Sequence, residues 1–232
     1  MIGTELLDDP QADPLLVGRE LRDIARLNAL FGGTRAVVRE LEPFLERGKR
    51  ETGNGKRQTW TLLDVGTGSG DIALAARAAA RRHGIELKAI GLDLNLTAAT
   101  IASAAGVPTF VADGNALPVA PRSVDVIVAS QVLHHLTRPV AVRWIAAFDR
   151  VARRAVVLAD LRRSRLAMVG VWAASIGLAM NGITRRDAVL SLRRGYTKGE
   201  FEEMLREVGV RAAARYRPGA RIVAAWSPST AS

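Results

Sequence analysis

From Trp60 onward the chain alternates short, mostly apolar runs with stretches of helical periodicity, and this alternation restricts the fold more than any other feature. Thr61–Val65, Leu87–Leu92, Pro108–Ala112, Val124–Ala129 and Ala155–Ala159 have strand length. Near-continuous apolar runs suit parallel strands covered by helices on both faces. Between them, Asp71–Arg82, Leu96–Ala104 and Val140–Val151 read as helices. Parallel strands are rejoined by right-handed crossovers, so the pattern predicts a doubly wound, mostly parallel α/β sheet. Past Asp160 the rhythm breaks. Leu161–Gly195 reads as a largely helical insertion, and Thr197–Gly209 as a helix opened by a capping box of Thr197 and Glu200. Arg211–Arg217 and Arg221–Trp226 read as a last pair of strands turning at Pro218-Gly219. Upstream, Leu15–Leu45 has two helical patterns broken at Gly32-Gly33, and Gly48–Gln58 reads as a linker. Residues 1–58 are thus expected to form a helical cap and linker, and 59–232 the α/β domain with a lid over 161–195.

Composition narrows the function by exclusion. Without cysteine there is no disulfide, thiolate nucleophile or thiolate metal site. The net charge of +10 invites nucleic acid, but the 29 arginines against 4 lysines are scattered in pairs with few aromatics between them, so no nucleic-acid partner is expected. Met1–Pro10 carries Glu5, Asp8 and Asp9 and no basic-then-apolar signal, which gives a cytoplasmic expectation.

The chemistry concentrates where the first strand meets a helix, in Leu62-Leu63-Asp64-Val65-Gly66-Thr67-Gly68-Ser69-Gly70-Asp71. Glycines there let the backbone turn tightly and approach a ligand at a positive helix N-terminus. A dinucleotide fingerprint needs its third glycine where this chain has Asp71, and a carboxylate there repels a pyrophosphate. Asp93, ending the second strand, can accept hydrogen bonds from both ribose hydroxyls of an adenosine; its blander role is to cap the next helix, a task Asn95 could also perform. Asp113, after the third strand, can receive an adenine amino group or simply form a turn before Gly114.

Asp64–Gly70, Asp93, Asp113-Gly114 and Val124–Leu136 together resemble the class I S-adenosylmethionine-dependent methyltransferases, in particular the ubiquinone/menaquinone-biosynthesis group. The resemblance covers Leu62–Asp160 well and the last helix and hairpin weakly. It implies a seven-stranded Rossmann-like sheet with an antiparallel last strand and S-adenosylmethionine as cofactor. The implied cofactor contacts are Gly66, Thr67, Gly68 and Gly70 for the methionine part, with Asp64 and Asp71 near its positive charge. Asp93 and Leu94 would serve the ribose, Asp113 and Gly114 the adenine, and Ser130 the edge of the fourth strand. Asn115, Pro118 and Val119, and the insertion, depart from the quinone enzymes, which leaves the acceptor open but not the cofactor.

Enzymes that methylate adenine or glutamine nitrogen share an Asn/Asp-Pro-Pro-aromatic loop after the fourth strand; here Ser130-Gln131-Val132-Leu133 stands instead. That points to an oxygen or carbon acceptor, small and apolar, phenolic or quinone-like, polyketide-derived phenols included. Alternatives are a non-catalytic cofactor-binding regulatory subunit and an RNA methyltransferase. His135 and His134 are the candidate catalytic bases, with His135 slightly preferred and only one of the neighbours expected to face the crevice. No His/Asp/Glu spacing suggests a metal. Leu166–Met180 is almost wholly apolar but short for a membrane span, and could be a buried helix or a lid over an apolar acceptor. Arginines flanking it within 162–186 could hold it at an anionic membrane surface, or it could pair two copies, so both monomer and homodimer are open.

Overall fold

The computed structural model describes residues 3–51, 58–178 and 180–229. Its centre is a seven-stranded sheet of β1 (Gln58–Val65), β2 (Ile85–Asp93), β3 (Thr109–Val111), β4 (Val124–Ser130), β5 (Ala152–Leu161), β6 (Arg215–Arg217) and β7 (Arg221–Trp226), in the order β3-β2-β1-β4-β5-β7-β6. β1 to β5 run parallel, and β7 runs antiparallel to both β5 and β6. The strand order reverses between β1 and β4, the place where an open α/β sheet leaves a crevice at its carboxyl ends. This is the expected doubly wound architecture.

Both faces are covered. α2 (Gly33–Glu51) and α3 (Asp71–Arg82) bury Leu41, Leu45, Ala73 and Ala76 against Trp60, Leu62 and Ile85. On the other face α5 (Arg138–Val151) and α8 (Lys198–Glu207) place Phe148, Ile145 and Phe201 against Leu63, Val65 and Ile127. α4 (Leu96–Ala104) closes the β2–β3 crossover. The α8 capping box is present, with Thr197 accepting from Glu200 N and the Glu200 carboxylate accepting from Thr197 N.

Three local expectations need correcting. The linker starts later than read, because α2 runs through Gly48 to Glu51. A Cβ at Gly48 would stand 2.2 Å from the Trp60 ring, so glycine serves here to seat an indole against a helix, not to break it; positions 52–57 lie outside the described residues. The strand read over Arg211–Arg217 is short: only Arg215–Arg217 pairs with β7. The apolar 166–180 segment is no buried core helix. Its helix α6 (Arg165–Gly177) buries only Ser175 and exposes Leu166, Val169, Trp172 and Ile176. No helix among the described residues is long and apolar enough to cross a membrane.

α1 (Pro14–Phe31) starts at an Asp13 cap that accepts from Leu15 N and Leu16 N, and stops at Gly32 in the left-handed region. It lies over the carboxyl ends of the strands with residues 4–8, α6 and α7 (Gly182–Arg194), and these segments roof the crevice.

Candidate active site

The turn from β1 to α3 is held at both ends. Gly66 and Thr67 donate to Leu92 O at 2.8 and 3.1 Å, which ties the loop to the end of β2. Gly66 has φ 71° and a Cβ there would stand 2.9 Å from Val132, so only glycine meets both demands. Asp64 and Gly70 do not line the crevice. The Asp64 carboxylate is buried behind the loop, where it accepts from Thr67 Oγ1 at 3.0 Å. Burial, with the nearby charges of Asp71 and Asp93, pushes it up to about 7. Its position is explained by strand alternation, which turns residue 64 into the layer that holds α3.

Asp93 sits where the sequence placed it, and the capping question is resolved. Asn95 caps α4, accepting from Thr97 N and Ala98 N. Asp93 instead accepts from Gly68 N at 2.9 Å and Asn95 N at 3.0 Å, which fixes the carboxylate at the crevice edge and leaves each oxygen a further lone pair. Burial raises its pKa despite those bonds. Asp113 accepts from Asn115 N and also lines the crevice, so forming the turn does not keep it out of the cavity wall. Gly114 is required for packing: a Cβ would stand 2.2 Å from the Trp144 ring. Leu94 and Ser130 line the same space.

The crevice is a cavity of about 720 Å³. Its sheet side carries Gly66, Thr67, Gly68, Asp71 and Asp93; its roof carries Leu21, Leu27, Phe31 and Val171. One feature of its wall was not legible in the sequence. Asn28 on α1 donates from Nδ2 to Asp71 at 3.3 Å, while its Oδ1 accepts from Arg221 Nη2 at 2.9 Å and Gln131 Nε2 at 2.7 Å. An acid and a base therefore flank one amide without meeting. Arg221 is buried, and its Nε and Nη1 have no hydrogen-bond partner among the described residues. Burial pushes it down to about 10. A buried guanidinium with idle donors is costly unless an anion meets it.

The paired histidines both face the cavity, contrary to the expectation for neighbours. They lie in a 3-10 turn over Leu133–His135, and their ring centroids are 4.2 Å apart. Tyr196 OH donates to Leu133 O at 2.8 Å and steadies the turn. His134 Nδ1 meets Asp160 Oδ1 at 2.6 Å; both residues are buried, and His134 Nε2 has no partner among the described residues. Burial alone would raise Asp160, but the imidazole outweighs it and holds the carboxyl below its usual range. His135 Nδ1 meets Asp8 Oδ1 at 2.6 Å, and its Nε2 stands 3.8 Å from Glu5 Oε2. Asp160, Asp8 and Glu5 escaped sequence reading because nothing local marks them; the Asp8–His135 contact spans 127 positions.

S-adenosylmethionine fits these residues on the structure's own terms. The loop offers a backbone surface free of side chains at Gly66 and Gly68, Asp93 keeps lone pairs for hydroxyl donors, and Asp71 and the idle donors of Arg221 match the opposite charges of an amino-acid tail. A family model described as a methyltransferase domain matches residues 62–155. No curated protein matches the chain. Among solved structures, the chain is similar to an S-adenosylmethionine-dependent methyltransferase from Aquifex aeolicus, at 17% identity, TM-score 0.54, covering 93% of this chain and 98% of that one. It is similar to magnesium protoporphyrin IX methyltransferase from Synechocystis with bound S-adenosylhomocysteine, at 16% identity, TM-score 0.53, covering 94% and 88%. It is also similar to a methyltransferase from Haloferax volcanii in complex with the activator Trm112, at 14% identity, TM-score 0.52, covering 87% and 96%. Such likenesses speak for the fold, and the matched domain speaks for the family. The methyltransferase-domain match over residues 62–155 and the shared fold are consistent with a class I S-adenosylmethionine-dependent methyltransferase.

Proposed function

We propose that the protein transfers a methyl group to an oxygen or carbon of a small, largely apolar acceptor of phenolic or quinone-like kind. The observation that carries this reading is the roofed cavity, apolar over Leu21, Leu27, Phe31 and Val171, with the paired imidazoles among its walls. When bound, the cofactor supplies an electrophilic methyl on its sulfonium. The chain's part is to align the acceptor, exclude water and accept a proton. With Nδ1–H donated to Asp160, a neutral His134 ring carries a lone pair at Nε2, buried and without a partner among the described residues, to which an acceptor hydroxyl or acidic carbon can deliver its proton. His134 is favoured over His135 as base because its Nε2 has no partner among the described residues, whereas His135 Nε2 stands 3.8 Å from Glu5 Oε2. The roof over residues 4–8, α1, α6 and α7 acts as the lid. The test is transfer of labelled methyl from S-adenosylmethionine to a panel of phenols and hydroquinones, with total RNA in parallel. Label in the small molecules is the expected result; label in RNA alone would overturn the reading.

The cofactor's amino-acid end would lie between Asp71 for its ammonium and Arg221 for its carboxylate, both positioned by Asn28. Arg221→Met is expected to weaken S-adenosylhomocysteine at least tenfold, about 1.4 kcal/mol. Binding of 5′-methylthioadenosine, which lacks that end, should be unchanged in the same calorimetric titrations. Equal losses for the two ligands would remove Arg221 from this role.

A further inference from the structure

We propose that Glu5, His134 and His135 form a binding site for a divalent transition-metal ion of the zinc class, with a coordination position open to the cavity. One ligand atom from each of the three residues lies within 4.8 Å of the others. Both imidazoles are arranged as metal-bound histidines are: each gives its Nδ1 to a carboxylate at 2.6 Å, Asp160 for His134 and Asp8 for His135. That contact places the neutral ring's proton on Nδ1 and leaves Nε2 with a lone pair. The His134 Nε2 is buried and unpartnered among the described residues, a cost with no return unless something binds there. The His135 Nε2 points toward Glu5 Oε2.

Charge argues the same way. Glu5, Asp8 and Asp160 surround the imidazoles, and Arg194, bonded to Glu5 at 3.0 Å and Asp8 at 2.9 Å, offsets only part of their charge. Glu20 and Asp187 add acids to the same cavity wall. Ser191 Oγ donates to Glu5 Oε2 at 2.6 Å and fixes the third ligand. Two histidines and one glutamate make a catalytic type of zinc set, which leaves a position for an oxygen ligand. Ligand atoms on bonds of about 2.0–2.2 Å must approach one another more closely than 4.8 Å, a closure that side-chain rotation supplies. Assigning the open position to the acceptor's oxygen rests on the function proposed above; the metal site itself does not. The proton-accepting role proposed for His134 belongs to the metal-free protein; with an ion bound, its Nε2 would be a ligand and the ion would polarise that oxygen instead.

The test is calorimetric titration of Zn²⁺ into untagged, chelator-treated full-length protein without cofactor or acceptor, with Co²⁺ absorption reporting the ligand field. One equivalent of Zn²⁺ is expected, with visible Co²⁺ bands. Glu5→Gln and His134→Ala should each weaken Zn²⁺ at least tenfold, and Asp160→Asn by about 10–100-fold. S-adenosylhomocysteine titration in each variant checks that the fold is intact. Absence of Zn²⁺ binding, or binding that these substitutions leave unchanged in folded variants, would overturn the proposal. Because no acceptor is present, that failure would leave methyl transfer to be judged by its own assay.

Discussion

Asp93→Ala is expected to weaken S-adenosylmethionine by about 100-fold, since hydrogen bonds to a charged group contribute about 1.5–3 kcal/mol and each 1.4 kcal/mol is a factor of ten. Two effects act together. The ribose hydroxyls proposed to bond to the carboxylate would lose their acceptor, and Gly68 N and Asn95 N would lose the acceptor that fixes the glycine loop. Asp93→Asn separates them: it keeps an oxygen for one backbone donor but turns an NH₂ toward the other. Its loss should fall between wild type and alanine. Calorimetric titration checks both variants, with thermal unfolding as the control. Affinity retained in Asp93→Ala would place the ribose elsewhere.

His134→Ala is expected to lower kcat by about 10²–10⁴, the usual range for a positioned proton acceptor, while cofactor affinity changes less than about twofold. Its side chain touches Asp160 and the neighbouring imidazole. Asp160→Asn tests positioning. It should lower kcat less than His134→Ala and leave the acceptor KM nearly unchanged, because the imidazole stays but loses the partner that orients it. Steady-state kinetics on the best acceptor reads both. Unaltered kcat in His134→Ala would move the proton-accepting role to His135 or remove the need for one.

Much of the architecture was legible because its causes are local. Apolar runs of strand length alternating with helical periodicity leave few solutions other than a doubly wound sheet, and β1, β2, β4 and β5 follow the runs within a few residues. The glycine loop could be read because tight turns and helix N-termini demand particular residues. Asp93 could be read because it ends a strand. Gly48 misled for a related reason: composition marks a glycine as a break, while the Trp60 ring filling its missing side chain is a contact between distant segments.

What the tertiary structure alone decided is which side chains meet. The 3-10 turn at Leu133–His135 brings neighbouring imidazoles onto one side, an outcome no strand or helix period predicts. Glu5 and Asp8 reach them from the far end of the chain and Asp160 from the end of β5, while Arg221, at the start of β7, meets Asn28 of α1. Spacing rules detect ligands and bases that share an element. A site assembled from the N-terminus, the fourth-strand loop, β5 and β7 shows itself only once the sheet order brings the end of β5, the start of β7 and the roof together. The sequence by itself determined the sheet, through periodicity, and pointed to the kind of cofactor through a family resemblance carried by the glycine loop and the strand-end acids. The packing of distant segments determined the polar cluster in the cavity, because its charges and lone pairs acquire chemistry only from one another.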